Sequence, residues 1–364
     1  MGVKNNKFNV RSSWWNSYVS GKSKAYNTGQ LGSTHPGSYE VTGGTKTTPG
    51  DGYAYHFFTT AGSEETLTNL GFSSKAAEYV IIGGGGAGGN APDGGSYRAG
   101  AGGGAGLYMS GPVTLAPSVG YKVYVGNGAP RTSGPNGDAP YPGDTGGRGG
   151  SGENSWLVDP TAGISSITSA GGGGGGGGNS PASGYTGVPG GSGGYGGDDS
   201  RFVGIGIGTD YPGSPPSFPS PPNGWGSHGG SGGPISGAGG GGASSAGGPG
   251  AGSYVGGVGI AAFNGSTGIP ASYGTPGPSA GRWFAGGGGG GSESTSPGDV
   301  EPGGAGGGGA GGYLVTGEGR YGIPGTDNTG SGGGGTGRDT YPETEANGKG
   351  GAGAPGIIMI RYSV

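Results

Sequence analysis

Cysteine is absent from this 364-residue chain, so neither disulfides nor thiolate metal sites are available to it. Histidine is almost absent too: His35, His56 and His228 have no spacing that would make a metal pair. Charged residues are only 10% of the chain and the net charge is −4, which leaves no basic footprint for nucleic acid. Hydrophobic residues are 28%, too few for a conventional apolar core at this length. No apolar run is long enough to span a membrane, and the opening MGVKNNKFNVRSSWW lacks the apolar centre of a signal peptide. Asn6 departs from the Ser or Thr that myristoylation of Gly2 would ask for. The expectation is a chain made in a cytoplasm, with no membrane insertion and no classical export.

What the chain has instead is glycine, 110 residues of it, against a usual share of roughly 7%. It does not hold a third-position register and proline is sparse, which excludes collagen. Glycine loses more conformational freedom on ordering than any other residue, and buried backbone amides need partners. Extended three-fold rods of the polyproline-II type, packed side by side and bonded rod to rod, meet both demands. Runs of this kind include residues 83–106, 171–178, 226–257, 286–291, 303–312, 332–335 and 348–353.

Apolar segments with β character frame the rods. Tyr79-Val80-Ile81-Ile82 leads into the first glycine run, and Ile357-Ile358-Met359-Ile360-Arg361-Tyr362 follows the last. Alternation from Tyr53 to Thr60, a turn at Ala61-Gly62-Ser63 and a second run at Thr66-Leu67-Thr68 read as a hairpin. Further strands are expected at 107–109, 113–115, 121–125, 155–158 and 164–168, and no stretch has a capped helical period. The fold class is therefore all-β and irregular: a small β-sheet or sandwich framing a bundle of polyglycine-II rods with surface loops, and almost no α-helix. By composition the chain divides into an N-terminal attachment segment, residues 1–50, and a glycine-rich domain, residues 51–364.

No catalytic motif survives inspection, so no enzyme activity and no cofactor are expected. Gly83, Gly85 and Gly88 follow a strand in the spacing of a dinucleotide fingerprint, but NAPDGGSYRAGAGGG cannot open the helix that fingerprint needs. Gly21-Lys22-Ser23 resembles the end of a phosphate loop whose first glycine is here Asn16. Gly193 to Asp198 matches one calcium β-roll repeat, where a stack of repeats is required. Asp144-Thr145-Gly146 echoes an aspartic protease, but a single copy between PYPG and GGRGG reads as a turn.

Recognition chemistry falls to the loops between rods, where aromatic residues stand among Gly, Ser, Asn and Pro, an adaptable binding vocabulary. Tyr141, Tyr211, Phe218, Trp225, His228 and Tyr341 are the receptor-binding candidates. Phe263, Tyr273 and Tyr321 share the loop composition, while Trp283 and Phe284 in RWFAGGGGGG read as aromatics covering rods. Trp14, Trp15, Tyr18 and Tyr26, set among Lys4, Lys7, Arg11, Lys22 and Lys24, read as anchors for docking onto a partner.

The order GDGYAYHFFTTAGSEETLTNL, AEYVIIGGGGAGG, GYKVYVGNGAP, RWFAGGGGGG, NTGSGGGG and GGAGAPGIIMIRY resembles the glycine-rich domain of bacteriophage tail-fibre and virion-appendage proteins. It is similar in kind to the fibre-tip adhesins of T-even-like phages. The resemblance covers residues 52–362, with AEYVIIGGGG and APGIIMIRY its most specific parts. It implies a virion protein assembled in the host cytoplasm and acting outside the cell. Its partners would be other virion proteins (fibre, baseplate or capsid) and a host-surface receptor, either an outer-membrane protein or a saccharide. Either a homotrimer or a single copy on a trimeric fibre fits. A non-adhesive appendage or decoration protein is the alternative. Residues before Gly52 match no attachment domain of that family.

Overall fold

The structure, a computed structural model, describes residues 41–90, 99–131, 149–161, 166–176, 224–230, 236–249, 254–292, 294, 300–313, 321–337 and 349–364. These residues form an all-β protein, as the sequence leads one to expect, in which two antiparallel sheets and a glycine bundle share one chain. The strands are β1 (Val41–Thr42), β2 (Thr45–Thr47), β3 (Tyr53–Phe58), β4 (Glu64–Asn69), β5 (Lys75–Ile82), β6 (Tyr108–Leu115) and β7 (Gly120–Tyr124). They continue with β8 (Ser155–Val158), β9 (Ile167–Ser169), β10 (Gly224–Trp225), β11 (Ile260–Ala261), β12 (Trp283–Phe284) and β13 (Ile357–Ser363). Sheet order is β1-β4-β7-β8-β9 in one sheet and β10-β6-β5-β13-β3-β2 in the other, with β11-β12 as a separate pair.

The six-stranded sheet is apolar on both faces, and the two-residue period of its strands sorts the side chains. Ala54, Phe58, Ala77, Tyr79, Ile81, Ile358, Ile360 and Tyr362 face the five-stranded sheet, where Leu67, Tyr121, Val123 and Leu157 meet them. Tyr55, Phe57, Val80, Ile82, Ile357 and Met359 face the other way, onto Ala262, Phe263, Ile269 and Phe284. This two-sided burial explains why YVII and IIMI are continuous rather than alternating runs. β5 and β13, far apart in sequence, pair directly, with Ile82 opposite Ile357 and Glu78 opposite Arg361.

Several expectations are corrected. Tyr53–Phe58 and Glu64–Asn69 are not a hairpin: β3 joins the six-stranded sheet and β4 the five-stranded one. The reason lies in their faces. β3 is buried on both, whereas β4 buries Leu67 and Asn69 and exposes Glu64 and Thr66, so only β3 suits the middle layer. The stretches at 107–109 and 113–115 are one strand, β6, running through Gly111-Pro112. Its outer neighbour β10 covers only Tyr108 and Met109, and past them β6 is an edge strand, where proline is admitted. The last of the five expected strands begins at Ile167 and ends at Ser169. Finally, Val41–Thr42 and Thr45–Thr47 pair with β4 and β3, so the sandwich reaches into the segment 1–50.

The glycine bundle repeats every three residues, the signature of three-fold rods. In rod 83–89, the amides of Gly83, Gly86 and Gly89 donate to Leu107, Gly104 and Ala101 of an antiparallel rod. Those of Gly84 and Ala87 donate to Glu153 and Gly150, and those of Gly85 and Gly88 to Ala354 and Gly351. Its carbonyls accept from Gly172 and Gly175, from Ala129, and from Gly333 and Thr336. One rod is thus bonded to six neighbours. Rod 285–292 has the same surroundings: it donates to Gly309, Gly257 and Gly103 and accepts from Gly332, Gly240 and Gly304. Backbones this close leave no room for side chains. A Cβ on Gly287 would overlap the Gly240 carbonyl oxygen and lie 2.7 Å from its carbon.

Candidate functional site at the far end of the glycine bundle

Eight rods are continuous with strands, so each has an end at the sheets and an end remote from them. Rod 83–89 leaves β5, rod 99–107 enters β6, and the rods beginning at Gly126, Ala170 and Gly226 leave β7, β9 and β10. Rods 149–154 and 349–356 enter β8 and β13, and rod 285–292 leaves β12. Two buried serines stitch the change of period: Ser155 Oγ donates to the Ile82 carbonyl (2.8 Å) and Ser169 Oγ to the Leu107 carbonyl (2.5 Å). Each also accepts a rod amide, from Gly126 and Gly83 respectively.

Six residues further along, roughly 19 Å at about 3.1 Å per residue, lies a second level. Gly89 bonds to Ala101, Ala101 to Gly176, Thr336 to Gly89, Gly291 to Gly100, Gly237 to Gly291 and Ser292 to Gly312. Asn90, fully buried, accepts the Gly350 amide through Oδ1 at 2.8 Å. The Arg131 guanidinium donates to the Gly322 carbonyl (3.1 Å) and stands 5.6 Å from the Tyr321 ring. The residues that flank segments 91–98, 132–148, 314–320 and 338–348 therefore all sit at this remote end. At the sheet end the rods reverse in tight turns instead, at residues 244–246, 305–307 and 326–328.

The remote end is where side-chain chemistry can vary without touching the lattice. Loops carried on a rigid scaffold are the common place for recognition. Its described aromatic residues are Tyr254, Tyr313 and Tyr321, each half-buried, with the exposed Arg131 beside Tyr321. Tyr254 and Tyr313 escaped sequence reasoning because each stands next to a glycine run and reads as part of it. The order of rods, which only the bonding pattern reveals, is what puts them at this end.

Of the receptor candidates, Tyr141, Tyr211, Phe218 and Tyr341 lie outside the described residues, as do Trp14, Trp15, Tyr18 and Tyr26. Trp225 and His228 are described, and neither is at the remote end. Trp225 pairs with Tyr108 in β6 at the sheet end and sets its ring edge-on to the Tyr108 ring, 5.7 Å away, remaining 36% exposed. His228 lies along a rod, its carbonyl accepting the Gly247 amide. The physical reason is that GWG completes the edge of the six-stranded sheet before the rod begins. Phe263 and Tyr273 are likewise corrected: Tyr273 stacks on Phe57 at 4.1 Å and Phe263 meets Tyr55 edge-on at 5.9 Å, so both cover the sheet. Trp283 and Phe284, expected to cover rods, form β12 instead, and Phe284 is fully buried in the apolar cluster with Tyr55, Phe57 and Met359 of the six-stranded sheet.

Perturbed titrations belong to the fold. Burial holds the His56 imidazole below its ordinary pKa, outweighing the Gly43 carbonyl bond that favours the charged form. Its Nδ1 is 2.6 Å from that carbonyl, so Nδ1 carries the proton and Nε2 faces the Tyr362 hydroxyl at 3.3 Å. Burial likewise raises the Tyr108 phenol strongly. Glu153 is held low, first by the Asn127 amide that donates to it. Among the described residues no group of three or more His, Asp or Glu could hold a metal ion, and no helix is long and apolar enough to cross a membrane. No family model matches the chain. No curated protein matches it either.

Proposed function

We propose that the chain is a bacteriophage virion protein, a tail-fibre or tail-tip adhesin. It is anchored through the sandwich end that residues 1–40 enter and meets the host surface at the remote end of the bundle. One observation carries this reading: the chain is polar from end to end. Val41, opposite Asn69, stands at the sandwich end away from the rods, while the residues flanking four of the inter-rod segments stand at the other. The resemblance of AEYVIIGGGG and APGIIMIRY to the phage glycine-rich domain supports the same assignment. In this reading the protein works by presenting variable segments on a body that does not deform, with no catalytic step and no cofactor. The receptor is a surface saccharide or an outer-membrane protein.

The rival reading, a non-adhesive appendage or decoration protein, draws support from Phe263 and Tyr273, loop aromatics used for packing. One experiment separates the two. Purified full-length protein is compared with a variant carrying alanine at Tyr141, Tyr211, Phe218 and Tyr341 for binding to host cells. A Trp225→Ala control should bind as the parent does. Loss of binding at an unchanged melting temperature is the adhesin result. No binding by any form, together with incorporation into virions lacking the protein, assigns it to the appendage.

A further inference from the structure

The outer face of the five-stranded sheet carries side chains that neither apolar cluster uses. Tyr121, Val123 and Leu157 point into the sandwich, so the two-residue period turns Lys122, Tyr124, Trp156 and Val158 outward. Pairing across the strands sets Glu64, Tyr124, Trp156 and Thr168 in one row, roughly 14 Å long at the usual strand spacing. Thr66, Lys122 and Val158 form the next row. The Tyr124 and Trp156 rings stack with centroids 5.4 Å apart and planes 9° from parallel, and both residues remain half-buried. Beside them Glu153 and Asn127, both exposed, are held in place. One carboxylate oxygen, Glu153 Oε2, accepts from the Tyr124 hydroxyl (3.0 Å), the Asn127 side-chain amide (2.9 Å) and the Asn127 backbone amide (3.2 Å).

Because all three donors converge on one oxygen, Glu153 Oε1 and Asn127 Oδ1 are left without a partner among the described residues. At a surface water would satisfy every one of these groups, so what the bonds achieve is orientation: a fixed aromatic stack with bare acceptors at its edge. A ligand that fits presents a C–H face to the rings and hydroxyl donors to the two oxygens, which is the chemistry of a sugar ring. Charge narrows the class. Lys122 pairs with Glu64, whereas Glu153 has no cationic partner among the described residues, and its pKa is held low, first by the Asn127 backbone amide. A sulfate, phosphate or carboxylate placed there would be repelled. A protein partner fits less well, because the apolar part of the face is confined to Tyr124, Trp156 and Val158, too little for the apolar centre of a stable interface. We propose that this face, through Tyr124, Trp156, Glu153 and Asn127, is a binding site for a neutral saccharide. It lies on the flank of the sandwich, apart from the remote end of the bundle, and does not depend on what that end binds.

The test probes the full-length protein against immobilised neutral oligosaccharides of glucose, galactose, mannose and N-acetylhexosamines, with sulfated and sialylated counterparts. Neutral members are expected to bind, and their anionic counterparts to bind more weakly. Trp156→Ala removes the stack. Glu153→Gln keeps the shape and an oxygen for the three donors but turns the bare acceptor into a donor. Each should weaken binding about tenfold or more. Trp225→Ala, on the other sheet, should bind as the parent does. No binding to any neutral member overturns the proposal. So does binding that both variants keep, which places the saccharide elsewhere on the chain, and so does a stronger response to the anionic counterparts. A loss confined to Trp156→Ala with a lowered melting temperature, while Glu153→Gln binds as the parent does, overturns it as well.

Discussion

Adding one methyl group to Gly149 and, separately, to its neighbour Gly150 tests the rod lattice at adjacent residues. The Gly149 amide donates to Gly175 at 2.8 Å, and the Gly175 amide in turn donates to Ala87 at 2.8 Å. A Cβ on Gly149 would overlap the Ala87 carbonyl oxygen and lie 2.6 Å from its carbon and 2.9 Å from the Gly88 oxygen. Both obstacles are backbone, so no side-chain rotation relieves them; rods 83–89 and 149–154 must part. Overpacking of this kind costs about 1–3 kcal/mol. Each of the two or three backbone bonds loosened adds roughly 0.5–1.5 kcal/mol. On Gly150 the nearest atom to the added Cβ is the Ala129 methyl at 3.7 Å, an ordinary contact. There the loss of unfolded-state freedom stabilises by about 0.4–1 kcal/mol. Urea unfolding of the full-length variants, followed by circular dichroism, should give midpoints ordered Gly150→Ala at or above the parent and Gly149→Ala well below it. Equal midpoints for the two alanines would refute the packed-rod account, because composition and position along the rod are otherwise the same.

Two further outcomes follow from the sandwich. The pKa of His56 is depressed in the fold by burial, from the ordinary 6.5, so the unfolded chain binds the proton more readily. The stabilisation is complete above that value and is lost as pH falls towards the folded pKa. The urea midpoint should therefore drop between pH 7.5 and pH 5, and His56→Gln should flatten that dependence. Arg361, its side chain 11% exposed, lies between the Tyr53 and Phe263 rings at 4.5 and 4.4 Å, and donates to Glu78 from Nε (3.0 Å) and Nη2 (2.7 Å). Arg361→Lys keeps the charge but loses the planar stacking and the paired donors, and should cost about 1–2 kcal/mol in the same assay, judged from the worth of a partly desolvated cation–π contact.

Much of this architecture is legible in the sequence, and what is not has identifiable causes. Glycine in excess with apolar frames gives rods and strands, because few other arrangements satisfy so many bare amides. Which strand joins which sheet is less visible. Tyr53–Phe58 and Thr66–Thr68 carry the local signs of a hairpin, and only the two-sided burial of Tyr55 and Phe57 against Ala54 and Phe58 separates them into two sheets. β1, β2 and β10 are two or three residues long and have no periodicity to detect. Trp225 illustrates the limit at the candidate site. Its proline-rich surroundings read as an open loop, yet its backbone pairs with Tyr108, a partner remote in sequence. The order of glycine rods is invisible for the same reason: every rod looks alike, and the neighbours of each are set by where its strand sits.

That dependence runs from sheet to bundle. A glycine rod gains little from apolar burial and carries the full entropic cost of ordering its backbone, so it has little tendency to form alone. The sandwich removes part of that cost by fixing one end of eight rods. Ile82, Leu107, Ser155, Ser169, Phe284 and Ile357 are strand residues or immediate strand neighbours, and each hands its position directly to the rod beside it. Ser155 and Ser169 bond strand to rod at the change of period, so the sheet register sets the lattice register. Order then weakens with distance from the sheets only as far as rod-to-rod bonds allow, and six-fold bonding around residues 83–89 carries it to Gly89 and Asn90. Among the described residues, no strand lies beyond that level. A protein built this way can exchange whole segments at the remote end while its sandwich and rods stay the same, which is the property a surface-recognition protein under changing selection needs.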